Sequence, residues 1–377
     1  MKVICDSHIP FIKGVLEPYC DVAYVPGQDI GPETVRDADA LIIRTRTRCD
    51  RLLLDGSKVR FIATATIGYD HIDTRWCESH GISWTNAPGC NSRSVEQYMG
   101  SLLATMSQRL GFECREKTLG VIGVGNVGSK VARLAALMGF NVVLCDPPRA
   151  IKEGNAGFLT LDELIERSDI ITCHVPLNYE GRDATYHLID KEKLNAMNGS
   201  QILINTSRGE VVDSTALKKA LRDKTLGAAA LDVWENEPGI DPELMDLLFC
   251  ATPHIAGYST DGKATGTAMC VQALGDFFEL PCREWEVTEL PSPPQTLEFG
   301  IDTQGLKPQE VLAKAILHTY DIMQDDASLR DNPAAFETLR SGYHIRREFT
   351  AFTVKPLNDN TGRASAFLRE AGFNIYE

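Results

Sequence analysis

Three residues suited to proton transfer at a hydroxyl stand just after short apolar runs. Arg208 lies in Asn205-Thr206-Ser207-Arg208-Gly209, Glu237 in Trp234-Glu235-Asn236-Glu237-Pro238, and His254 in Thr252-Pro253-His254-Ile255-Ala256-Gly257. An imidazole can take a hydroxyl proton, and a carboxylate beside it fixes the tautomer and stabilises the imidazolium that forms. A planar guanidinium can grip a substrate carboxylate through two hydrogen bonds. Each residue also has a structural reading: a boundary histidine, a solvated loop acid, a turn-anchoring arginine.

A second cluster suits a nucleotide. Gly123-Val124-Gly125-Asn126-Val127-Gly128 follows an apolar strand and opens a helix expected over Val127 to Met138. The first glycine permits the turn, the second lets a pyrophosphate approach the backbone, and the third lets helix pack on strand. The phosphates would sit on the helix N-terminus. Asp146 ends the next strand, where a carboxylate can accept from both ribose hydroxyls and repel a 2′-phosphate, so NAD is expected over NADP, with Arg149 close enough to compensate if its side chain folds back. Joined to this site, the Arg-Glu-His set fits hydride transfer between a hydroxyl carbon and nicotinamide.

The elements that must position these groups read as α/β. Val3-Ile4-Cys5, Val22 to Val25, Leu41-Ile42-Ile43, Phe61-Ile62-Ala63 and Ile82-Ser83-Trp84 are short buried runs, expected strands of one parallel sheet. A helix is expected over residues 91–110. A second set of strands follows at Leu119 to Ile122, Val142 to Leu144, Ile170 to Thr172, Ile202 to Ile204, Ala228 to Leu231 and Phe249 to Ala251. Open α/β sheets bind ligands beyond the carboxyl ends of their strands, so Arg208, Glu237 and His254 can converge despite their separation.

A helix over 263–278 would return the chain to the first body. The expected division is therefore a discontinuous flavodoxin-like domain over 1–95 and 256–288, a Rossmann domain over 96–255, and a small α/β unit over 289–377 after the proline-rich Glu289 to Pro294. In that last unit Val311 to Met323 form a helical stripe, Phe349 to Val354 reads as a strand and Arg363 to Ala371 as a helix. A unit this small is marginal alone, which points to docking on another subunit.

Arg44, Arg46 and Arg48 alternate after the third strand and would share a face, drawing an anionic substrate, if that strand continues. Solvated strand-edge charges are the alternative for Arg46 and Arg48.

The net charge of −14, from 52 acidic and 38 basic residues, disfavours a nucleic-acid partner. The opening Met-Lys-Val-Ile-Cys-Asp reads as a strand and no long apolar stretch follows, so a cytoplasmic protein without membrane attachment is expected. Eleven cysteines without a Cys-x-x-Cys pair fit reduced thiols. Cys90, in a turn, is a buried apolar residue or a reactive thiol. His8, His71, His80, His174, His187 and His318 share no ligand spacing, and no metal is expected; His344, beside Arg346 and Arg347, reads as surface.

The glycine loop with Asp146, His174-Val175-Pro176-Leu177, Asn205 to Asp213, Leu231-Asp232-Val233-Trp234-Glu235 and Thr252 to Tyr258 together resemble the D-isomer-specific 2-hydroxyacid dehydrogenases. Ala38 to Leu41, Ala63 to Thr66, Ala87 to Asn91, Cys145 to Arg149 and the tail are similar to the branch of that family acting on 4-phospho-D-erythronate. The resemblance implies NAD-dependent oxidation of that small phosphorylated hydroxy acid on the way to pyridoxal 5′-phosphate, by a homodimer assembled through the tail. It implies Arg208 on the carboxylate, Glu237 supporting the imidazole and His254 as base, with Thr45, Thr66 and Tyr258 on the substrate. Asn126, Val127, Asp146, Val175, Thr206, Ser207, Arg208, Asp232 and Gly257 would line the cofactor, Val175 standing where a threonine is usual. A dehydrogenase for another D-2-hydroxy acid and a non-catalytic NAD sensor are the competing readings.

Overall fold

The computed structural model describes residues 1–154 and 157–376. The chain divides into two compact units, residues 1–91 with 260–291, and residues 92–259 with 292–377.

The first unit is a five-stranded parallel sheet of β1 (Lys2–Asp6), β2 (Asp21–Val25), β3 (Ala40–Ile43), β4 (Phe61–Thr64) and β5 (Ser83–Thr85). Its order is β2-β1-β3-β4-β5, flavodoxin-like, with the switch point between β1 and β3. β3 and β4 are wholly buried, as continuous apolar runs covered on both faces should be. Helix Thr260–Phe278 covers one face through Cys270, Val271 and Leu274.

In the second unit β6 (Thr118–Ile122), β7 (Asn141–Cys145), β8 (Ile170–Cys173), β9 (Ile202–Asn205), β10 (Ala228–Leu231) and β11 (Cys250–Ala251) form a parallel sheet ordered β11-β10-β9-β8-β6-β7. An isolated parallel bridge from Leu144 to Phe158 adds a residual strand beyond β7. With it the order about β6 is that of a dinucleotide-binding sheet, whose switch point lies between β6 and β8.

The tail docks on its own chain. Val311, Leu312, Ala315 and Ile316 of helix Pro308–Thr319 share a core with Met99, Leu102 and Leu103 of helix Ser92–Leu110 and Leu134 of helix Gly128–Met138. Burial within the subunit thus supplies what a marginal unit needs, and a partner is not required for that purpose. The helical stripe also breaks earlier than its periodicity suggests: the helix ends at Thr319, and Asp321 caps a new one, Ile322–Asp331, by accepting from the Met323 N–H. Phe349–Ala351 is a 3-10 turn, and the strand begins at Thr353. That strand, β13 (Thr353–Leu357), sits between β12 (Glu298–Asp302) and β14 (Asn374–Ile375) in a parallel sheet.

β3 stops at Ile43, so the two-residue alternation expected of Arg44, Arg46 and Arg48 does not operate. Arg44 turns back to Asp6, its Nε 3.1 Å from Oδ2 of that buried carboxylate. Arg48 pairs with Asp50 at 3.0 Å with its side chain 83% exposed.

Candidate active site

At the switch point of the second unit the glycine loop is tight where it must be and open where a ligand would lie. Gly123 has φ +82°, and a Cβ there would stand 2.6 Å from the His174 carbonyl oxygen; one on Gly128 would stand 1.9 Å from the Gly123 carbonyl oxygen. A Cβ on Gly125 would meet nothing within 4 Å. Backbone N–H groups at the start of helix Gly128–Met138 therefore adjoin an open cradle of the kind a pyrophosphate fills. Asp146, half-buried at the end of β7, accepts from the Val124 N–H at 2.8 Å and the Arg149 N–H at 3.0 Å, one bond per oxygen, and retains lone pairs for a ribose diol. Arg149 does fold back, donating to the Val124 carbonyl at 2.7 Å, but Glu153 matches its charge through bonds of 2.7 and 2.9 Å. The donor set fits NAD. Val175 packs beside Gly123, and Asn126 and Val127 flank Gly125.

His174 bridges the ends of β8 and β9, its Nε2 3.0 Å from Thr172 Oγ1 and its Nδ1 3.2 Å from Thr206 Oγ1. Burial pushes its pKa down to about 3, which keeps it a neutral hydrogen-bonding group at the cofactor loop. The sequence places His174 in the motif His174-Val175-Pro176-Leu177 and weighs it as a metal ligand, but assigns its side chain no role at the cofactor loop. Its place at the carboxyl end of an apolar strand was the available signal.

The segments after β9, β10 and β11 lock together. Asn205 orders the first turn, donating to the Arg208 carbonyl at 2.7 Å and accepting from Ser207 Oγ at 2.8 Å. A Cβ on Gly209 would stand 2.0 Å from the Trp234 carbonyl carbon, so the Arg208 turn lies directly on the next segment. Trp234 donates its backbone N–H to Glu237 Oε1 at 2.9 Å, and Glu237 Oε2 lies 2.8 Å from His254 Nδ1. An ionised carboxylate only accepts, so Nδ1 carries the proton and Nε2 is left as the acceptor nitrogen.

His254 has φ +56°, a left-handed conformation uncommon for a side-chain-bearing residue. Asp232 holds it there. Its carbonyl accepts from the His254 N–H at 2.7 Å, Oδ1 accepts from the Ile255 N–H at 2.8 Å, and Oδ2 accepts from the Ala256 N–H at 2.9 Å. Asp232 is 1% exposed, so its carboxylate works within the loop and presents almost no surface to a cofactor. Burial raises its pKa, opposed by the His254 charge and by these hydrogen bonds. For Glu237 burial acts upward, but the His254 hydrogen bond and charge, the Trp234 N–H and the Arg340 charge outweigh it and leave the carboxyl below its ordinary value.

Tyr258 follows in the same segment. Its hydroxyl accepts from Arg340 Nη2 at 3.1 Å, an arginine of the tail that no sequence motif marked. In the first unit Thr45, exposed, and Arg44 follow β3, while Thr66, after the adjacent β4, lies 2.7 Å from Thr64 Oγ1, itself 3.0 Å from His71 Nε2. Among the described residues no three His, Cys, Asp or Glu side chains gather as a metal site, and no helix is long and apolar enough to cross a membrane.

Residues 91–256 match the NAD-binding domain of the D-isomer specific 2-hydroxyacid dehydrogenases, and residues 294–369 match a domain family of unknown function. The erythronate-4-phosphate dehydrogenase of Bacteroides fragilis is 49% identical over 94% of this chain and 99% of its own length. That of Proteus mirabilis is 41% identical over 99% of both. The chain belongs to the erythronate-4-phosphate dehydrogenase family. Members of this family are NAD-dependent oxidoreductases, and NAD is the cofactor here. A D-lactate dehydrogenase from Aquifex aeolicus, complexed with NAD and lactic acid, superposes with a TM-score of 0.61 at 25% identity, covering 78% of this chain and 100% of its own. The whole of that simpler enzyme thus has its counterpart here, and part of this chain is additional.

Proposed function

We propose that the protein oxidises 4-phospho-D-erythronate to (R)-3-hydroxy-2-oxo-4-phosphobutanoate, an early step towards pyridoxal 5′-phosphate. The observation that carries this reading is the Glu237–His254 pair, set beside the Arg208 turn in a chain similar over nearly its whole length to enzymes named for that substrate. Arg208 grips the carboxylate and orients the carbon bearing the hydroxyl. His254 Nε2 takes the hydroxyl proton, and Glu237 stabilises the imidazolium. Bound NAD supplies the hydride acceptor for the hydrogen on that carbon.

Tyr258, Thr45, Thr66 and Arg44 are assigned to the substrate. The pairing of Arg44 with buried Asp6 favours an anchored cation over a mobile one. Gly123, Gly125, Asn126, Val127, Gly128, Asp146, Val175, Thr206, Ser207, Arg208 and Gly257 are assigned to the cofactor. Asp232 keeps a place beside it through the loop that it holds.

The three-part division, with residues 289–377 as a dimerisation domain of a cytoplasmic homodimer, belongs to the same proposal. Exposed Ile345, Leu357 and Tyr376 on the tail support an association surface there. Deleting the tail would also uncover Met99, Leu102, Leu103 and Leu134, so charged substitutions at exposed Ile345, Leu357 and Tyr376, followed by sedimentation, test the dimer cleanly.

The decisive assay is the initial rate of NADH appearance with 4-phospho-D-erythronate, D-3-phosphoglycerate, D-glycerate and D-lactate, each also run in reverse from its 2-oxo acid. Preference for phosphoerythronate is expected. Preference for another acid overturns the substrate, and NAD binding without turnover on any acid would make the chain a sensor.

A further inference from the structure

We propose that Arg340, supplied by the tail, is a positioning residue of the dehydrogenase reaction: it orients the Tyr258 hydroxyl and helps keep Glu237 ionised as the partner of His254. The inference rests on the roles given above to Glu237, His254 and Tyr258.

Arg340 lies on the short helix Phe336–Ser341, far along the chain from the residues it serves. Its Nη2 donates to Tyr258 Oη at 3.1 Å, and the guanidinium stands 5.6 Å from the Tyr258 ring centroid and 6.0 Å from that of Phe336. The contact from Nη1 to Glu337 is longer, at 3.4 Å, so the tyrosine is the tighter partner. The side chain is 20% exposed, and Nε is buried with no hydrogen-bond partner. Burying a cation with an unsatisfied donor is unfavourable, so its retention calls for an explanation.

Neighbouring tail residues hold the geometry. Fully buried Arg346 donates to the carbonyls of Ile255 at 3.2 Å and Ala256 at 2.6 Å, and Glu348 Oε1 accepts from Ser259 Oγ at 2.7 Å. The segment from Ile255 to Ser259 is thus held by the tail at two backbone carbonyls and at the Ser259 hydroxyl, while Arg340 reaches the Tyr258 side chain.

Two consequences follow from the chemistry. A hydroxyl that accepts from a guanidinium directs its own hydrogen away from that cation, which fixes the orientation of Tyr258. A fixed positive charge also favours the ionised form of the Glu237 carboxylate. The groups around it are His254, the Trp234 N–H and Arg340 at Glu237, with Tyr258, Glu337 and Asp232 around Arg340 itself. Removing the cation should therefore let Glu237 take up a proton at higher pH and move the acid limb of kcat/KM upward.

The test uses full-length Arg340→Met, which keeps the apolar stem over Phe336, and Arg340→Lys, which restores the charge. For the methionine variant kcat/KM for phosphoerythronate is expected to fall about tenfold, with the acid limb displaced upward and NAD affinity within about twofold of the parent. The lysine variant should recover part of the rate and most of the limb. Unchanged kcat/KM and pH profile in Arg340→Met would overturn the proposal, as would loss of NAD affinity in step with activity, the mark of a merely structural role. His254→Gln is run beside them. Full activity there would sink the underlying assignment, whereas its inactivation with no effect at Arg340 removes only the part given to the tail.

Discussion

Two histidine–glutamate pairs in the second unit are nearly twins, and one of them is assigned to catalysis. Glu237 meets His254 at 2.8 Å and Glu235, two residues earlier, meets His187 at 2.7 Å. The side chains are 29% and 20% exposed in the first pair, 28% and 20% in the second. Both histidines have positive φ, +56° and +48°. Both carboxyls fall below their ordinary pKa, with burial acting upward in each and outweighed by hydrogen bonds led by the histidine's.

What differs is the nitrogen engaged and the company kept. Glu237 takes Nδ1 and leaves Nε2 as the acceptor nitrogen, while Glu235 takes Nε2. Around Glu237 stand Asp232, Tyr258 and the tail's Arg340, with the Arg208 turn against Trp234. Glu235 instead accepts from the Ser214 N–H at the start of helix Ser214–Arg222, and His187 donates its N–H to the Glu210 carbonyl beside the Ile189–Val212 bridge. That pair ties a loop to a helix start. A histidine beside a carboxylate therefore signifies little until the surrounding charges are known.

Several substitutions can break or sharpen the contrast. The largest effect is expected from Glu237→Gln, which keeps an acceptor but removes the charge opposing the imidazolium: kcat should fall by about 100-fold with NAD affinity unchanged, measured by steady-state kinetics and cofactor fluorescence. Asp232→Asn should destabilise the protein by about 3 kcal/mol in urea unfolding, since an amide cannot accept through both of its positions and the buried Ala256 N–H loses its partner. Glu235→Gln should cost only about 1 kcal/mol of stability and leave turnover within about twofold, because only a loop-to-helix tie weakens.

The last effect concerns acid. His174 has a folded pKa of about 3 against an ordinary 6.5, so over that interval the unfolded chain binds the extra proton. Stability should therefore decline as pH falls through that range, with a lower urea midpoint at about pH 5 than at about pH 7, and His174→Gln should flatten the difference. A slope that survives the substitution would assign it elsewhere.

Much of this site was legible in the chain because its parts end local patterns. Gly123 to Gly128 follow an apolar run, and Arg208, Glu237 and His254 each follow another, so strand periodicity alone places them at one end of a sheet. Local patterns cannot report where remote segments dock. The sequence places no partner for Tyr258, because Arg340 arrives through packing of Val311 and Ile316 on a helix two hundred residues earlier. Arg44 shows the same limit at short range, where a pattern of alternate arginines ends with β3 and a buried aspartate on another strand decides the outcome. The second Glu–His pair was equally hidden, since His187 lies in a loop with no strand end to mark it.

The most direct test compares initial rates of NAD reduction by His254→Gln and His187→Gln at saturating 4-phospho-D-erythronate, each variant first shown to bind NAD. A fall of about 10³-fold or more is expected for His254→Gln and a rate within about twofold of the parent for His187→Gln. Near-parental turnover by His254→Gln, or an equal loss in both variants, would contradict the role given to His254.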